Sequence, residues 1–428
     1  MTSAGRPRVY LHIGEPKTGT TFVQQVMWRN RAWLAARGVL LPGYSTWDHS
    51  RASRDLRGSR RMAGDPADSW VGEWDVLIRQ ARHAQQAAVI SNELLAAAAP
   101  GQADRAIRSL QPAEVHIILT VRDIASLLPA EWQESVKVRG TAPWEQWLSD
   151  VIDAESASDR RGRSWFWRVH DTLASLEMWS GHIPPDHVHV ITLPQEGPAD
   201  VLWARFASVL GIDPAGADVP QARVNCSLGL VEAEFLRVLN KALPDEMPDW
   251  FYTRSVKHIL AHGVLSAPPG QGRLALPPEH HAWAHQQSEA LAACLRDSSY
   301  HIVGDLAELL PQPATGRYLA PDAVPVQHLL DAAMRATAAL ADHRYRDKTL
   351  DPRQQRQRTR GLRPALGKAA WRILYGPWTR RVLCRASHIA AVRRLRVAIW
   401  LLLVHPAWLR RGPAGARDDS MTPQSAEV

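Results

Sequence analysis

Four short apolar runs occur in the first half of the chain. The segments between and after them have apolar residues at helical spacing. The runs are short and rich in β-branched residues, so they predict β-strands over 8–13, 87–91, 114–121 and 187–194. Helices are predicted over 20–37, 73–86, 102–110, 164–179 and 199–211. Strands that alternate with helices predict an α/β fold, a three-layer domain with a central, mainly parallel sheet flanked by helices.

One long stretch of this region shows no such periodicity. Residues 42–72 are rich in Gly, Pro, Ser, Asp and Arg, a composition that is typical of loops. We therefore expect a long loop or a lid between the first predicted helix and the helix over 73–86.

The first predicted strand leads into a loop that is bracketed by Gly14 and Gly19 and followed by a helix. This layout is typical of a phosphate site, because loop N–H groups point inward and the helix N-terminus adds about half a positive charge. The glycine spacing is that of the ATP-binding P-loop, but Thr20 stands where that loop has its lysine. The one lysine of this loop is Lys17, so the P-loop-type layout fits a Mg-ATP site poorly.

The six residues from Pro16 to Thr21 resemble the P-K-[ST]-G-T-T loop of sulfotransferases that use 3′-phosphoadenosine 5′-phosphosulfate (PAPS). The resemblance implies PAPS as donor, adenosine 3′,5′-bisphosphate as product and no required metal. It also implies a catalytic Lys17, which neutralises charge on the leaving phosphate and the transferring sulfuryl group. The implied cofactor-binding residues of the loop are Pro16, Lys17, Thr18, Gly19, Thr20 and Thr21.

The strand over 114–121 runs into Arg122 and Asp123, which match the second fingerprint of the family. The resemblance implies that Arg122 binds the 3′-phosphate of PAPS. The serine that the family places eight residues further on is replaced by Ala130. Residues that could substitute for it, in a pattern that resembles a bacterial branch of the family, are Ser126, Trp132, Gln133, Ser135 and Lys137. A local ion pair at a helix start is the alternative explanation of Arg122 and Asp123.

Glu93 follows the predicted strand over 87–91. Ligands of doubly wound sheets bind at the carboxyl ends of the strands, so this carboxylate is expected to face the phosphate loop. The family has a histidine or a glutamate near this point that takes the proton of the acceptor, which implies Glu93 as the general base. The alternatives are a glutamate that merely stabilises a helix N-terminus, and His170 as the base.

Composition adds information about the compartment. Cys226, Cys294 and Cys384 are far apart and have no metal-ligand spacing, which predicts free thiols in a reducing compartment. No signal-type segment precedes the first strand, so we expect a cytoplasmic protein. Of the 51 basic residues, 45 are arginine and only 6 are lysine.

The positive charge of the chain is concentrated near its C-terminus. Residues 353–411 contain 15 Lys or Arg and no Asp or Glu, so subtracting these charges from the net charge of +8 leaves −7 elsewhere. An acidic body predicts no nucleic-acid partner. The segment also contains an apolar run over 397–404 that is too short to span a bilayer.

This segment completes the predicted domain organisation. We expect a sulfotransferase-like domain over 1–311, a loose linker with one helix over 312–363, a basic amphipathic helical extension over 364–411 and a disordered tail over 412–428. The extension is typical of a helix that binds a membrane surface, here the inner face of the membrane, or a protein partner.

The sequence therefore predicts in-line sulfuryl transfer from PAPS to a hydroxyl or an amine. The acceptor is expected to be a small molecule, a glycan or a lipid-linked molecule. Two alternatives remain: a P-loop kinase with a divergent loop, and a membrane-peripheral or partner-binding protein whose nucleotide loop is a relic. The oligomeric state is not predicted.

Overall fold

A computed structural model describes residues 6–59, 70–181, 183–198, 200–220, 228–266, 272, 274–313 and 318–349. Its six strands are β1 (Arg8–Gly14), β2 (Val39–Leu40), β3 (Ala87–Ser91), β4 (Glu114–Val121), β5 (Val188–Thr192) and β6 (His301–Val303). They form one sheet in the order β2-β3-β1-β4-β5-β6, and all neighbouring strands are parallel. The predicted α/β fold with a mainly parallel sheet is confirmed.

Helices cover both faces of this sheet and extend beyond it. The first eight are α1 (Thr20–Arg29), α2 (Arg31–Ala36), α3 (Thr46–Leu56), α4 (Glu73–Arg82), α5 (Pro100–Leu110), α6 (Ile124–Lys137), α7 (Trp144–Glu155) and α8 (Arg160–Arg163). The others are α9 (Trp165–His170), α10 (Thr172–Ser180), α11 (Asp200–Val209), α12 (Leu230–Ala242), α13 (Asp249–Tyr252), α14 (His281–Asp297) and α15 (Val326–Thr349). A 3₁₀ turn spans Glu93–Ala97, and a π-helical segment spans Thr253–Leu265.

The sheet lies between two hydrophobic layers because alternate residues of its central strand point to opposite faces. Val9, Leu11 and Ile13 of β1 belong to the core cluster that contains Trp74 of α4. Tyr10 belongs to the cluster on the other face, with residues of α1 and α11. The near-continuous apolar character of the strands follows from this burial on both faces.

A third hydrophobic cluster holds the remaining helices together. Trp132 of α6 and Trp144 of α7 are fully buried in it, and Ala332 of α15 is also buried there. Arg335 of α15 donates to Glu232 of α12 at 2.7 Å. The helix that was expected within 312–363 is therefore present and packs against α12, while the proposed division into domains stays a prediction.

The prediction of a long loop over 42–72 is wrong for residues 46–56, which form α3. Ser45 precedes this helix, and the Asp48 carboxylate accepts a hydrogen bond from the Ser45 backbone N–H at 2.9 Å. Ala52 and Leu56 bury one side of an otherwise polar helix. The sequence did not predict this helix because so few of its residues are apolar. Residues 60–69 lie outside the described residues.

Two other predicted helices are each broken in two. The helix over 164–179 is interrupted at Asp171, whose carboxylate accepts from the Ala174 N–H at 3.2 Å and from Arg160 at 2.7 and 2.8 Å. The helix over 20–37 is interrupted at Asn30, the residue between α1 and α2. The short edge strands β2 and β6 were not predicted.

The basic extension over 364–411 and the tail over 412–428 lie outside the described residues, so both stay predictions. Among the helices that the structure does describe, none is both long and apolar enough to cross a membrane.

Candidate active site

A cavity of about 2080 Å³ lies at the carboxyl edge of the sheet. Its walls include residues that directly follow β1, β3, β4 and β5. It gathers nearly all of the predicted site residues, which come from positions more than 100 residues apart: Pro16, Lys17, Gly19, Thr20, Thr21, Glu93, Arg122, Ser126 and Lys137. Parallel strands produce this result because all of their carboxyl ends meet at one edge.

The loop between β1 and α1 has the backbone of an anion cradle. Gly19 precedes α1 with a φ of 88°, in the left-handed region, and a Cβ at this position would collide with the Leu202 side chain. Within the described residues, no side chain caps the N-terminus of α1. The first N–H groups of this helix are therefore available to an anion in the cavity.

Thr18 differs from the other predicted loop residues because it does not line the cavity. Its hydroxyl is fully buried, donates to the Glu15 carbonyl at 2.5 Å and lies 2.5 Å from the Thr120 hydroxyl. The Thr120 hydroxyl in turn donates to the Gly14 carbonyl at 2.9 Å. The Thr18 side chain thus ties the loop to β4 and is not available to bind a cofactor.

Three lysines surround one carboxylate in the cavity wall. Glu134 of α6 accepts from Lys17 at 2.5 Å and from Lys257 at 2.8 Å, and the Lys137 ammonium is 3.9 Å from it. Only 6 of the 428 residues are lysine, and three of them meet at this point. Neither Glu134 nor Lys257 was predicted, because they come from a helix and a π-helical segment far from the loop in sequence.

The positive charge of this cluster changes the pKa values of its members. Burial alone would raise the pKa of Glu134, but Lys17 and Lys257 outweigh that effect and hold the pKa well below its usual range. Burial, followed by repulsion from Lys17, lowers the pKa of Lys137 to about 8. One carboxylate therefore neutralises one of three nearby ammonium groups, and the surplus positive charge favours an anionic ligand.

Arg122 lies at the same place, and its guanidinium is 3.8 Å from the Asp123 carboxylate, so the local ion pair of the alternative explanation is present. It follows β4, lines the cavity and donates to the Lys17 carbonyl at 3.4 Å. Asp123 beside it is buried, and its carboxylate accepts from the Ser126 N–H at 2.8 Å as the cap of α6. Ser126 and Ala130 both line the cavity wall next to Arg122. Ser126 therefore stays a candidate for the role of the missing serine of the fingerprint.

Glu93 also lines the cavity, at the start of the 3₁₀ turn that follows β3. Its carboxylate accepts a hydrogen bond from the Gln24 side chain of α1 at 3.1 Å. The Gln24 amide is also 3.2 Å from the Ser91 hydroxyl, which fixes its position between α1 and β3. A half-buried carboxylate that is oriented in this way and open to the cavity could accept a proton.

His170, the second candidate base, lies in a buried ion-pair network and does not line the cavity. Its ring is 3.4 Å from the Glu15 carboxylate and 3.6 Å from that of Glu131. Burial lowers the pKa of His170, but the two carboxylates outweigh it and raise the pKa to about 9. A protonated, enclosed imidazole is less suited than Glu93 to accept a proton, and the contact with Glu15 connects His170 to the loop.

Aromatic side chains line the outer part of the cavity. Trp47 of α3 and Trp165 of α9 are 58% and 49% exposed, and Phe166 and Trp147 lie beside them in the wall. Trp167, in contrast, is buried in the third hydrophobic cluster, and its indole N–H donates to the Val151 carbonyl at 2.8 Å. Trp165 is thus placed to contact a ligand, whereas Phe166, which is 2% exposed, and Trp167 are part of the core.

Comparison with known proteins adds one structural similarity. The crystal structure of a sulfotransferase from Alicyclobacillus acidocaldarius is similar over 59% of this chain and 96% of that chain, with 16% identity and a TM-score of 0.31. No protein-family model matches the sequence, and no curated protein matches it. A TM-score of this size does not establish a shared fold, so the function is inferred below from the side chains of the site.

Proposed function

We propose that this protein is a sulfotransferase that moves a sulfuryl group from PAPS to an acceptor hydroxyl or amine. The observation that carries the proposal is the cluster of Lys17, Lys137 and Lys257 around Glu134, at the N-terminus of α1. Like charges at this distance destabilise a fold unless an anion compensates them. An anionic nucleotide donor would supply the compensating charge.

The residues present fit PAPS better than a Mg-ATP complex. Lys17 lies inside the loop and Thr20 stands at the lysine position of the ATP-binding P-loop, as in the sulfotransferase loop that the sequence resembles. Arg122 supplies a second cationic group, suited to the 3′-phosphate that distinguishes PAPS from ATP. The Asp123 carboxylate, which follows a strand as a magnesium ligand would, is already the cap of α6.

When bound, PAPS supplies a sulfuryl group that is activated as a mixed anhydride with phosphate. In the proposed scheme the N–H groups at the start of α1, with the Thr20 and Thr21 hydroxyls, hold the 5′-phosphate. Lys17 stabilises the negative charge that develops on the leaving oxygen. Glu93, oriented by Gln24, accepts the proton of the acceptor as general base. The rate gain comes from positioning and charge stabilisation, as it does in phosphoryl transfer.

The acceptor class is inferred from the outer wall. Exposed indole rings such as those of Trp47 and Trp165 present flat apolar faces, which suit a small aromatic molecule, the face of a sugar or a lipid-linked group. We propose an acceptor from these classes for a cytoplasmic enzyme. Binding of the membrane surface by residues 364–411 would favour a lipid-linked acceptor.

A ligand-binding experiment tests the proposal. Thermal shift and calorimetry compare adenosine 3′,5′-bisphosphate without metal against ATP with Mg²⁺, on the wild type, Arg122→Ala and Arg29→Ala. A ligand at 100 times its Kd stabilises the fold by about 2.7 kcal/mol. Arg29 is the matched control, because it lies at the far end of α1 and pairs with Asp218 at the surface.

We expect the bisphosphate to stabilise the wild type and Arg29→Ala. Loss of a charge-assisted hydrogen bond should weaken its binding to Arg122→Ala by about 10-fold to 100-fold. Stabilisation by Mg-ATP alone would identify a kinase instead. No response to either nucleotide would favour the relic-loop alternative.

A further inference from the structure

A second group of ionisable side chains lies at the amino edge of the sheet, away from the cavity. Its members are Glu114 and His116 at the start of β4, His187 and His189 at the start of β5, and His301, the first residue of β6. Four of the 18 histidines of the chain meet here. Sulfuryl transfer as proposed above uses none of them.

Three members of this amino-edge cluster are close enough to share one ion. Glu114, His116 and His187 each offer one ligand atom, and these atoms lie within 4.8 Å of one another. The Glu114 carboxylate is 2.8 Å from Nε2 of His116 and 4.0 Å from Nε2 of His187. Ligands on one tetrahedral zinc ion are roughly 3.3 Å apart, so adjustments of about an ångström close the site.

The side chains that have to move are the ones with room to do so. Glu114 and His187 are 42% and 24% exposed, whereas His116 is 9% exposed and fixed. The His116 and His187 rings are stacked with centroids 4.2 Å apart, so the two imidazoles are already neighbours, and a rotation of the more exposed His187 ring is the adjustment that the site needs.

A chain of hydrogen bonds through His189 and His301 orients the His116 ring. Its Nδ1 is hydrogen-bonded to Nε2 of His189 at 2.9 Å, and Nδ1 of His189 is hydrogen-bonded to Nδ1 of His301 at 2.8 Å. Metal-binding histidines usually use their second ring nitrogen in this way, which fixes the tautomer and the ring plane.

The charge around the cluster selects the class of ion. Glu114 carries one negative charge, and Arg8 lies opposite it in the β1–β4 register. A nearby guanidinium disfavours hard cations such as Mg²⁺ and Ca²⁺, which bind through charge and need several oxygen ligands. Imidazole nitrogens bind borderline transition metals through covalent affinity as well as charge.

We propose that Glu114, His116 and His187 bind a divalent transition-metal ion of the zinc class, with water completing the coordination. Two imidazoles and one carboxylate form a ligand set that zinc uses in proteins. The ion would connect the start of β4 to the turn before β5. The site would lie at the opposite edge of the sheet from the cavity.

Zinc binding to the full-length chain, free of any affinity tag and stripped with a chelator, tests the proposal. Calorimetry with Zn²⁺ gives stoichiometry and affinity, and Co²⁺ gives an absorption band that Zn²⁺ should displace. The variants are Glu114→Gln, His187→Ala and the matched control His285→Ala. His285 is exposed on α14 and lies 3.4 Å from Glu289, so it is a histidine–glutamate pair outside the cluster.

We expect one displaceable Co²⁺ ion at this site in the wild type and in His285→Ala. Loss of a ligand in Glu114→Gln or His187→Ala should weaken Zn²⁺ binding by about 100-fold or more, and His189→Phe by about 10-fold through loss of ring orientation. Glu114 and His187 are at the solvent edge, so circular dichroism should show folded variants. A wild type that binds no Zn²⁺, or ligand variants with wild-type affinity, would overturn the proposal.

Discussion

The carboxyl and the amino edges of the sheet place polar groups beside the same hydrophobic core in different ways. At the carboxyl edge, Lys17, Lys137 and Lys257 crowd around the single carboxylate of Glu134. At the amino edge, a row of imidazoles is joined ring to ring by hydrogen bonds. The first arrangement carries surplus charge, whereas the second carries almost none.

Strand β4 contributes to both edges, which makes the contrast informative. It begins at Glu114 and leads into Arg122, so the two sites are roughly 25 Å apart along one strand. The lysine cluster has surplus positive charge and needs an anion nearby to be stable. The imidazoles are stabilised when each ring nitrogen either donates or accepts one hydrogen bond. The difference agrees with the two proposals, an anionic nucleotide at the carboxyl edge and a metal ion at the amino edge.

The largest effect is expected when the charge of Lys17 is removed from the carboxyl edge. Lys17→Ala should lower the turnover of PAPS by about 1000-fold, because the developing charge loses its principal cation. The measurement is the rate of adenosine 3′,5′-bisphosphate formation with a saturating acceptor. Lys241→Ala, which removes an exposed lysine from the end of α12, is the control and should keep the wild-type rate. An active Lys17→Ala would contradict the assignment.

A smaller loss of turnover is expected when Glu93 is replaced. Glu93→Gln keeps an oxygen that can accept from Gln24 but can no longer take a proton. Turnover should fall by at least about 100-fold, while the Kd of the bisphosphate stays close to that of the wild type. Kinetics and calorimetry on the same preparation separate the two quantities. A parallel loss of nucleotide binding would show that Glu93 holds the donor instead.

The smallest effect is a pH dependence of stability that comes from His170. Its folded pKa of about 9 lies above the unfolded value of 6.5, so its contribution is fully present below pH 6.5 and is lost as the pH rises through 9. The free energy of unfolding should fall by at most about 3 kcal/mol across this window. Urea unfolding at several pH values measures it.

Variants of this network provide the control. Glu131→Gln removes one of the two carboxylates that raise the pKa of His170, so the window should move to lower pH. A wild type whose stability is flat between pH 6.5 and 9 would show that His170 is neutral in the folded protein.

The part of the site that the sequence predicts is the part that is local in the chain. Pro16 to Thr21 form one contiguous loop after one strand, and Arg122 and Glu93 each directly follow a strand that was predicted with its correct bounds. Strand ends of a parallel sheet converge whatever connects them, so the convergence of these residues followed from the topology. The predictions of their roles rest on the family resemblance and on the tests above.

The rest depends on packing between distant segments. Glu134 is 117 residues from Lys17, and Lys257 is a further 123 residues along the chain, on a π-helical segment whose contact with α6 is not encoded in its own sequence. His116 and His187 belong to different strands, so their spacing in sequence carries no metal signature. Helix α3 was missed because capping and a few buried residues stabilise it without an apolar stripe.

Glu134 has a consequence for how a turnover would end. It is attached to α6 and holds Lys17 at 2.5 Å, so it is an internal competitor for the cation that a nucleotide product would occupy. A tethered group of this kind acts at an effective concentration of roughly millimolar or above. The nucleotide product would then compete for Lys17 with the Glu134 carboxylate, which is part of the protein and cannot diffuse away. With the proposed function, this competition would limit how tightly the spent nucleotide binds and would thereby speed its departure.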